Sequence, residues 1–347
     1  MKKLLLQTLA ILLVIGLLTG CAGTTVVIYQ PAATTGNNAP AAEGALKLGL
    51  AVAPSISGSK AAAAEENGKA DFDVTLVAVL VDDEGIIRDC IIDSVGATAN
   101  FDAAGQPVNF DAEKKIQTKN ELGDSYGMKA YGGAKYEWYE QAAAVAGFAV
   151  NKTAAQLREG AVNEAGKAKD ADLASVATIY IGSYVSAIEK AVQNARHLGS
   201  AAGDTLRLSV INGMTATAAG EKDGAVELTV DVAAVTTKDQ VISGCYIDAL
   251  QAKVTFNAQG ELTTDVAAAP QTKNELGEKY GMKAYAGAKF EWNEQAANFA
   301  AYVTNKTLAE VAGIAITEAT KPADGTDLAA TVTIAIGGFQ ALFAKLS

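Results

Sequence analysis

The chain has one histidine in 347 residues, His197. Catalysis by Ser-His-Asp or Cys-His sets needs an imidazole beside the nucleophile, so most such machinery is excluded. A histidine-rich metal site is excluded on the same ground. Cysteine is nearly as scarce, with Cys21, Cys90 and Cys245. Charged residues make up only 19%, and the balance is acidic, with a formal net charge of −11. That balance argues against nucleic acid and against charge-driven binding to anionic lipid. A 50% hydrophobic content over this length is enough to bury cores in two domains.

An apolar run of spanning length is also missing. Lys2 and Lys3 precede an apolar stretch from Leu4 to Leu18, which is too short and too close to the start for an ordinary spanning helix. It ends in Leu18-Thr19-Gly20-Cys21, which resembles a bacterial lipobox. The expectation is a signal peptide over 1–20, cleavage before Cys21 and lipidation of its thiol. The mature chain would then sit on the outer face of a cell membrane. Residues 21–43 are rich in Ala, Thr, Gly, Asn and Pro and read as a flexible tether.

The dominant feature is a duplication. TKNELGDSYGMKAYGGAKYEWYEQ fills 118–141, and TKNELGEKYGMKAYAGAKFEWNEQ fills 272–295, an offset of 272 − 118 = 154. A period of this size is a duplicated domain rather than a solenoid repeat. The units are assigned to 44–197 and 203–347, with a short connection that includes His197. Each opens with alternating, strand-like sequence: Leu46 to Val52, Phe72 to Val81 and Ile86 to Asp93 in the first, and Leu206 to Val210, Glu227 to Val235 and Gln240 to Asp248 in the second. A further strand is expected at Ala97 to Phe101, answered by Val254 to Phe256. Cys90 and Cys245 fall in matching strands and read as small buried hydrophobes with no disulfide partner in their own unit.

Helices follow over Glu137–Val150 and Glu291–Val303. Asn151-Lys-Thr153 and Asn305-Lys-Thr307 are formal glycosylation sequons but read as a helix end followed by a new N-cap. Short strands are expected at Thr178–Ile181 and Thr333–Ile336, each turning into a last helix, from Tyr184 in the first unit. The fold class is α+β: two tandem domains, each an antiparallel sheet with helices packed on it.

The final stretch carries a resemblance. Asp172-x-x-Ser175-x-Ala177-Thr178 is similar to the D-x-x-[ST]-G-A-[ST] motif of FMN-binding domains, with Val176 in place of Gly. The second copy keeps Asp327 and Thr333 but has Ala330, Thr331 and Val332 between them. With the duplicated block, residues 45–347 resemble the two-domain flavinylated pheromone-precursor lipoprotein of extracellular electron transfer. The resemblance implies FMN attached through its phosphate to Thr178 and Thr333 by a flavin transferase. It also implies electrons arriving from a membrane NADH dehydrogenase or another quinone-linked donor. An isoalloxazine needs an aromatic or thioether surface, offered by Tyr126, Gly127, Met128 and Tyr131 and by Tyr280, Gly281, Met282 and Tyr285. Gly182-Ser183 and Gly337-Gly338, ahead of the last helices, could present backbone amides to a phosphate. Such a protein is an electron-transfer flavoprotein rather than an enzyme with an acid, base or nucleophile. Two alternatives stand beside it: a lipid-anchored small-ligand module without a covalent cofactor, and a precursor whose signal segment is a pheromone. Thr178 and Thr333 also read as ordinary strand threonines, and Trp138 and Trp292 as helix-packing core.

Overall fold

The computed structural model describes residues 44–347. The signal segment, Cys21 and the tether lie outside the described residues. The protein is α+β, built on two antiparallel sheets. The first runs in the order β1 (Lys47–Ser55), β2 (Gly68–Val81), β3 (Ile87–Phe101) and β4 (Pro107–Val108). The second runs β5 (Thr205–Thr217), β6 (Gly224–Lys238) and β7 (Val241–Phe256). The strand expected at Ala97–Phe101 is the far end of β3, with no break at Gly96.

Strand sequence explains the layering. Leu76, Ala78 and Leu80 of β2 face one side and Val77, Val79 and Val81 the other, yet all six are buried. A strand apolar on both faces needs cover on both. Here the inner faces of the two sheets cover each other. Leu48, Leu50, Val74, Leu76 and Val95 share one core with Val210, Leu228, Val230, Val232 and Leu250. Phe101 and Phe256 stack across this seam, with ring centroids 3.9 Å apart and planes within 6°.

Helices cover the outer faces. On the first sheet these are α1 (Lys119–Leu122), α2 (Met128–Gly132), α3 (Trp138–Ala149), α4 (Ala154–Ala161), α5 (Ala171–Val176) and α6 (Gly182–Asn194). Val145, Val185 and Ile188 pack there on Val77, Val79 and Ile92. On the second sheet lie α7 (Lys273–Leu276), α8 (Met282–Ala286), α9 (Trp292–Val303), α10 (Leu308–Ala312) and α11 (Gly337–Ala344). Phe299, Val303, Phe339 and Phe343 close on Val235, Cys245 and Ile247. Cys90 and Cys245 are buried free thiols in these outer cores, and burial pushes both thiol pKa values up.

The sequons end as capping geometry. Asn151 and Asn305 take left-handed φ of 64° and 68°. Thr153 and Thr307 cap α4 and α10 through the backbone amides of Gln156 and Glu310.

The halves are joined by reciprocal contacts. Ala62 donates to the Gly260 carbonyl and Ala219 to that of Gly105, both at 2.8 Å. Lys190 pairs with Glu275 at 2.6 Å, and its repeat partner Lys345 pairs with Glu121. Such reciprocity is what a pseudo-two-fold interface produces. The connection pairs with β1 through Leu48 and Arg196, whose backbone groups exchange bonds of 2.9 and 3.1 Å. His197 is part-exposed and holds Asp83 at 3.0 Å.

Candidate functional site

Two duplicated stretches far apart in sequence meet on α3. The first is the Tyr126-Gly127-Met128-Lys129 turn. Gly127 has φ of +83°, and a Cβ there would lie 2.5 Å from the Tyr131 ring. Glycine is therefore required twice, for its backbone and for the ring laid against it. The turn is held by Glu137, at the start of α3, whose buried carboxylate accepts from the amides of Met128 (2.8 Å) and Lys129 (2.9 Å). In the second half Glu291 accepts from Met282 (2.8 Å) and Lys283 (3.0 Å).

The second stretch is the loop bearing Thr178. One helical turn after Glu137, on the same face, stands Gln141, itself fully buried. Its Oε1 accepts from the Thr178 amide (2.8 Å), the Thr178 hydroxyl (3.2 Å) and the Ile179 amide (3.2 Å). Its Nε2 donates to the Tyr136 carbonyl at 2.9 Å and lies 3.9 Å from the Met128 sulfur. Gln295 repeats this with Thr333 (2.7 and 3.2 Å), Ile334 (3.2 Å), the Phe290 carbonyl (3.0 Å) and the Met282 sulfur (3.9 Å). Thr178 and Thr333 are exposed residues, and each hydroxyl is tied to its glutamine.

This arrangement corrects the expected strands at Thr178–Ile181 and Thr333–Ile336. Both segments are irregular loops. Their first amides go to a glutamine side chain, and no neighbouring strand completes a ladder. The last helix begins at Gly182, two residues before the expected Tyr184. The expected phosphate cradle at this helix start is partly used internally. The amides of Ile181 and Gly182 donate to the Gly166 carbonyl at 2.8 and 3.2 Å, and Ile336 donates to that of Thr320 at 2.8 Å.

The predicted residues thus divide. Met128 and Met282 meet the threonine loops through their glutamines. Tyr131 and Tyr285 stand almost fully in solvent, 92% and 90% exposed, with one edge of each ring against the glycine of its turn. Tyr126 and Tyr280 lie beneath lysines, with Lys119 at 5.5 Å and Lys273 at 5.0 Å from the ring centres. Asp172 and Ser175 do not reach Thr178: Asp172 sits exposed in the first turn of α5, and the Ser175 hydroxyl donates to the Asp172 carbonyl at 2.7 Å. Asp327 occupies the cap position of a short 3₁₀ turn without a side-chain bond to it. Trp138 and Trp292 are buried core, and Trp138 donates to the Tyr184 hydroxyl at 3.0 Å. Sequence reasoning missed Glu137, Gln141, Glu291 and Gln295. Their signal was present in the duplicated E-W-x-E-Q ending of the block.

The halves differ in detail. Phe339 replaces Tyr184 against the tryptophan. Asp231 enters beside Gly338, and its burial pushes its carboxyl above the ordinary range. Among the described residues no cluster of His, Cys, Asp and Glu could hold a metal ion. A cavity of about 390 Å³ lies elsewhere, between the connection and the second half, away from both threonines.

Compared with protein-family models, curated proteins and solved structures, the chain matches none.

Proposed function

We propose that the protein is a membrane-tethered flavoprotein electron carrier, with FMN joined through its phosphate to Thr178 and Thr333. The observation that supports this reading best is the twice-built glutamine cradle. It immobilises one hydroxyl per half, at a solvent-facing position, next to a Met-Tyr turn. A burial-driven role would not leave the residue exposed, and neither threonine lies in a strand. The residues fit a phosphate-linked flavin at the attachment atom and at the exposed rings of Tyr131 and Tyr285. The fit is weaker at Asp172 and Asp327, which do not approach the threonines, and at the helix starts, whose amides are partly used.

When bound, FMN supplies the electron transfer, and the chain supplies position and surroundings. Gln141 and Gln295 hold the attachment loops. Glu137 and Glu291 hold the turns that present Met128 and Met282. A flavin transferase makes the bond, and a membrane NADH dehydrogenase or other quinone-linked enzyme is the electron donor. Lipidation at Cys21 places the carrier on the outer face of the membrane, where a dissociable cofactor would be lost by diffusion.

The deciding experiment is the intact mass of the mature chain from its native host, with peptide mapping. Two additions of FMN minus water, at Thr178 and Thr333, are expected. Thr178→Ala and Thr333→Ala each remove one. No addition on the native chain, or two additions on the double variant, would reject the proposal.

A further inference from the structure

The two threonine loops differ in one exposed side chain. Along Thr178–Ile181 burial alternates. Ile179 packs on the outer core and Ile181 is buried, while Thr178 and Tyr180 are exposed. The second loop keeps the alternation, with Ile336 buried and Thr333 and Ala335 exposed. In an extended segment residues two apart lie on one side, so Tyr180 shares the side of the attachment residue Thr178. Its repeat partner is an alanine (335 − 155 = 180).

The Tyr180 ring is held in place by its own half. Lys167 Nζ lies 4.1 Å from the ring centre and donates to the Thr178 carbonyl at 2.6 Å. One cation thus ties the ring to the attachment loop. A Cβ at Gly166 would meet the ring at 3.5 Å, so a larger side chain there would compete for its place. The second half has that larger side chain. The Ile181 amide donates to the Gly166 carbonyl and the Ile336 amide to that of Thr320, which makes these positions equivalent. Thr320 holds a left-handed φ of 56°, a conformation unfavourable for a β-branched residue. Glycine goes with tyrosine in one half, and threonine with alanine in the other. Tyr180 nevertheless remains 68% exposed, so ring surface away from Lys167 is open to an aromatic partner.

Resting on the attachment reading above, we propose that Tyr180 makes the two flavin sites unequal. It stacks on the isoalloxazine carried by Thr178, and Ala335 offers the flavin on Thr333 no such surface. A planar group tethered two residues away meets the ring at high effective concentration, so a weak contact suffices. Offset aromatic stacking favours the closed arrangement roughly 2- to 13-fold over the open one. Tyr131 and Tyr285 are exposed alike and do not distinguish the halves.

The test is emission per attached flavin, with attachment counted by intact mass, on the mature chain made in its native host. Thr333→Ala leaves the flavin on Thr178, and Thr178→Ala the one on Thr333. Tyrosine in stacking contact quenches flavin emission, so the flavin on Thr178 should be dimmer by roughly threefold or more. Tyr180→Ala should raise it to the level of the other site, and Tyr180→Trp should keep it dim. Ala335→Tyr made together with Thr320→Gly should dim the flavin on Thr333, which a purely structural role for Tyr180 would not produce. Flavin absent by mass from both single-site variants would reject the attachment reading, and this inference with it. Flavin present on both with equal emission, or with emission that neither Tyr180→Ala nor the altered second loop changes, would overturn the inference alone.

Discussion

Replacing Gln141 by Met tests the architecture of the site without any cofactor. Met fills nearly the same volume, so little cavity arises, but it has no strong acceptor. Three donors then lose their partner: the Thr178 amide, the Thr178 hydroxyl and the Ile179 amide, at 2.8, 3.2 and 3.2 Å. A neutral hydrogen bond contributes about 0.5–1.5 kcal/mol net. The three share one oxygen with two lone pairs, so their contributions do not add fully. About 1.5–2.5 kcal/mol of local stability is lost, which corresponds to roughly a 13- to 70-fold rise in loop opening. Amide hydrogen exchange at Thr178 and Ile179 reads this directly. Gln295→Met is the internal control and should act on Thr333 and Ile334 while leaving Thr178 alone. Exchange at Thr178 and Ile179 within about twofold of the parent protein would refute the claim that Gln141 holds this loop.

Three further predictions concern the sheets and the two halves. Phe101 and Phe256 are fully buried and stacked across the seam. Phe256→Ala should cost about 3–5 kcal/mol, with a coupling to Phe101→Ala of about 0.5–1.5 kcal/mol in a double-mutant cycle. Trp138 and Trp292 each report one half, so single-tryptophan variants should unfold in urea with coincident midpoints; separated midpoints would mean the halves fold alone. Asp248 is buried, and burial pushes its carboxyl from 3.8 to about 6, against the hydrogen bonds it accepts. A raised value means that the native state binds the proton more tightly. Stability from this group is therefore present near pH 4 and lost as pH rises to 6, by on the order of 2–3 kcal/mol. Asp248→Asn, which keeps an acceptor for the Ala249 and Asn274 amides, should flatten that slope in melts across pH 4–6; an unaltered slope would remove Asp248 as its source.

What could be read in the sequence was local or repeated. The duplication, the antiparallel strands and the N-caps at Thr153 and Thr307 all follow from spacing and residue type. The Thr-Ile-Tyr-Ile run was misread because its strand propensity is a preference for a pleated, paired surface. Here pairing is denied, since a glutamine 37 residues earlier takes the first amides. Gln141 itself was hidden inside a helix pattern, where a buried polar residue and an apolar one leave the same periodicity. The shared core was hidden for another reason. The run Val74 to Val81 announces two buried faces, but which surface covers the second is a long-range fact. Read alone, it is equally consistent with a helix or with another sheet.

The reciprocal lysines tie the two halves into one frame. Exposed ion pairs contribute little stability, so Lys190–Glu275 and Lys345–Glu121 are better understood by where they act. Glu121 and Glu275 are the capping-box glutamates of α1 and α7, bonded to the Thr118 amide at 3.0 Å and the Thr272 amide at 2.8 Å. These short helices lead straight into the Gly-Met turns that Glu137 and Glu291 hold. Each turn is thus fixed at its exit by its own half and braced at its entry by the terminal helix of the other half. A short helix of four residues has little stability of its own, so this bracing is where one half can set the geometry of the other's site. Duplication here has produced two sites that share a scaffold, with the large inter-sheet core supplying stability and the lysine pairs supplying registration.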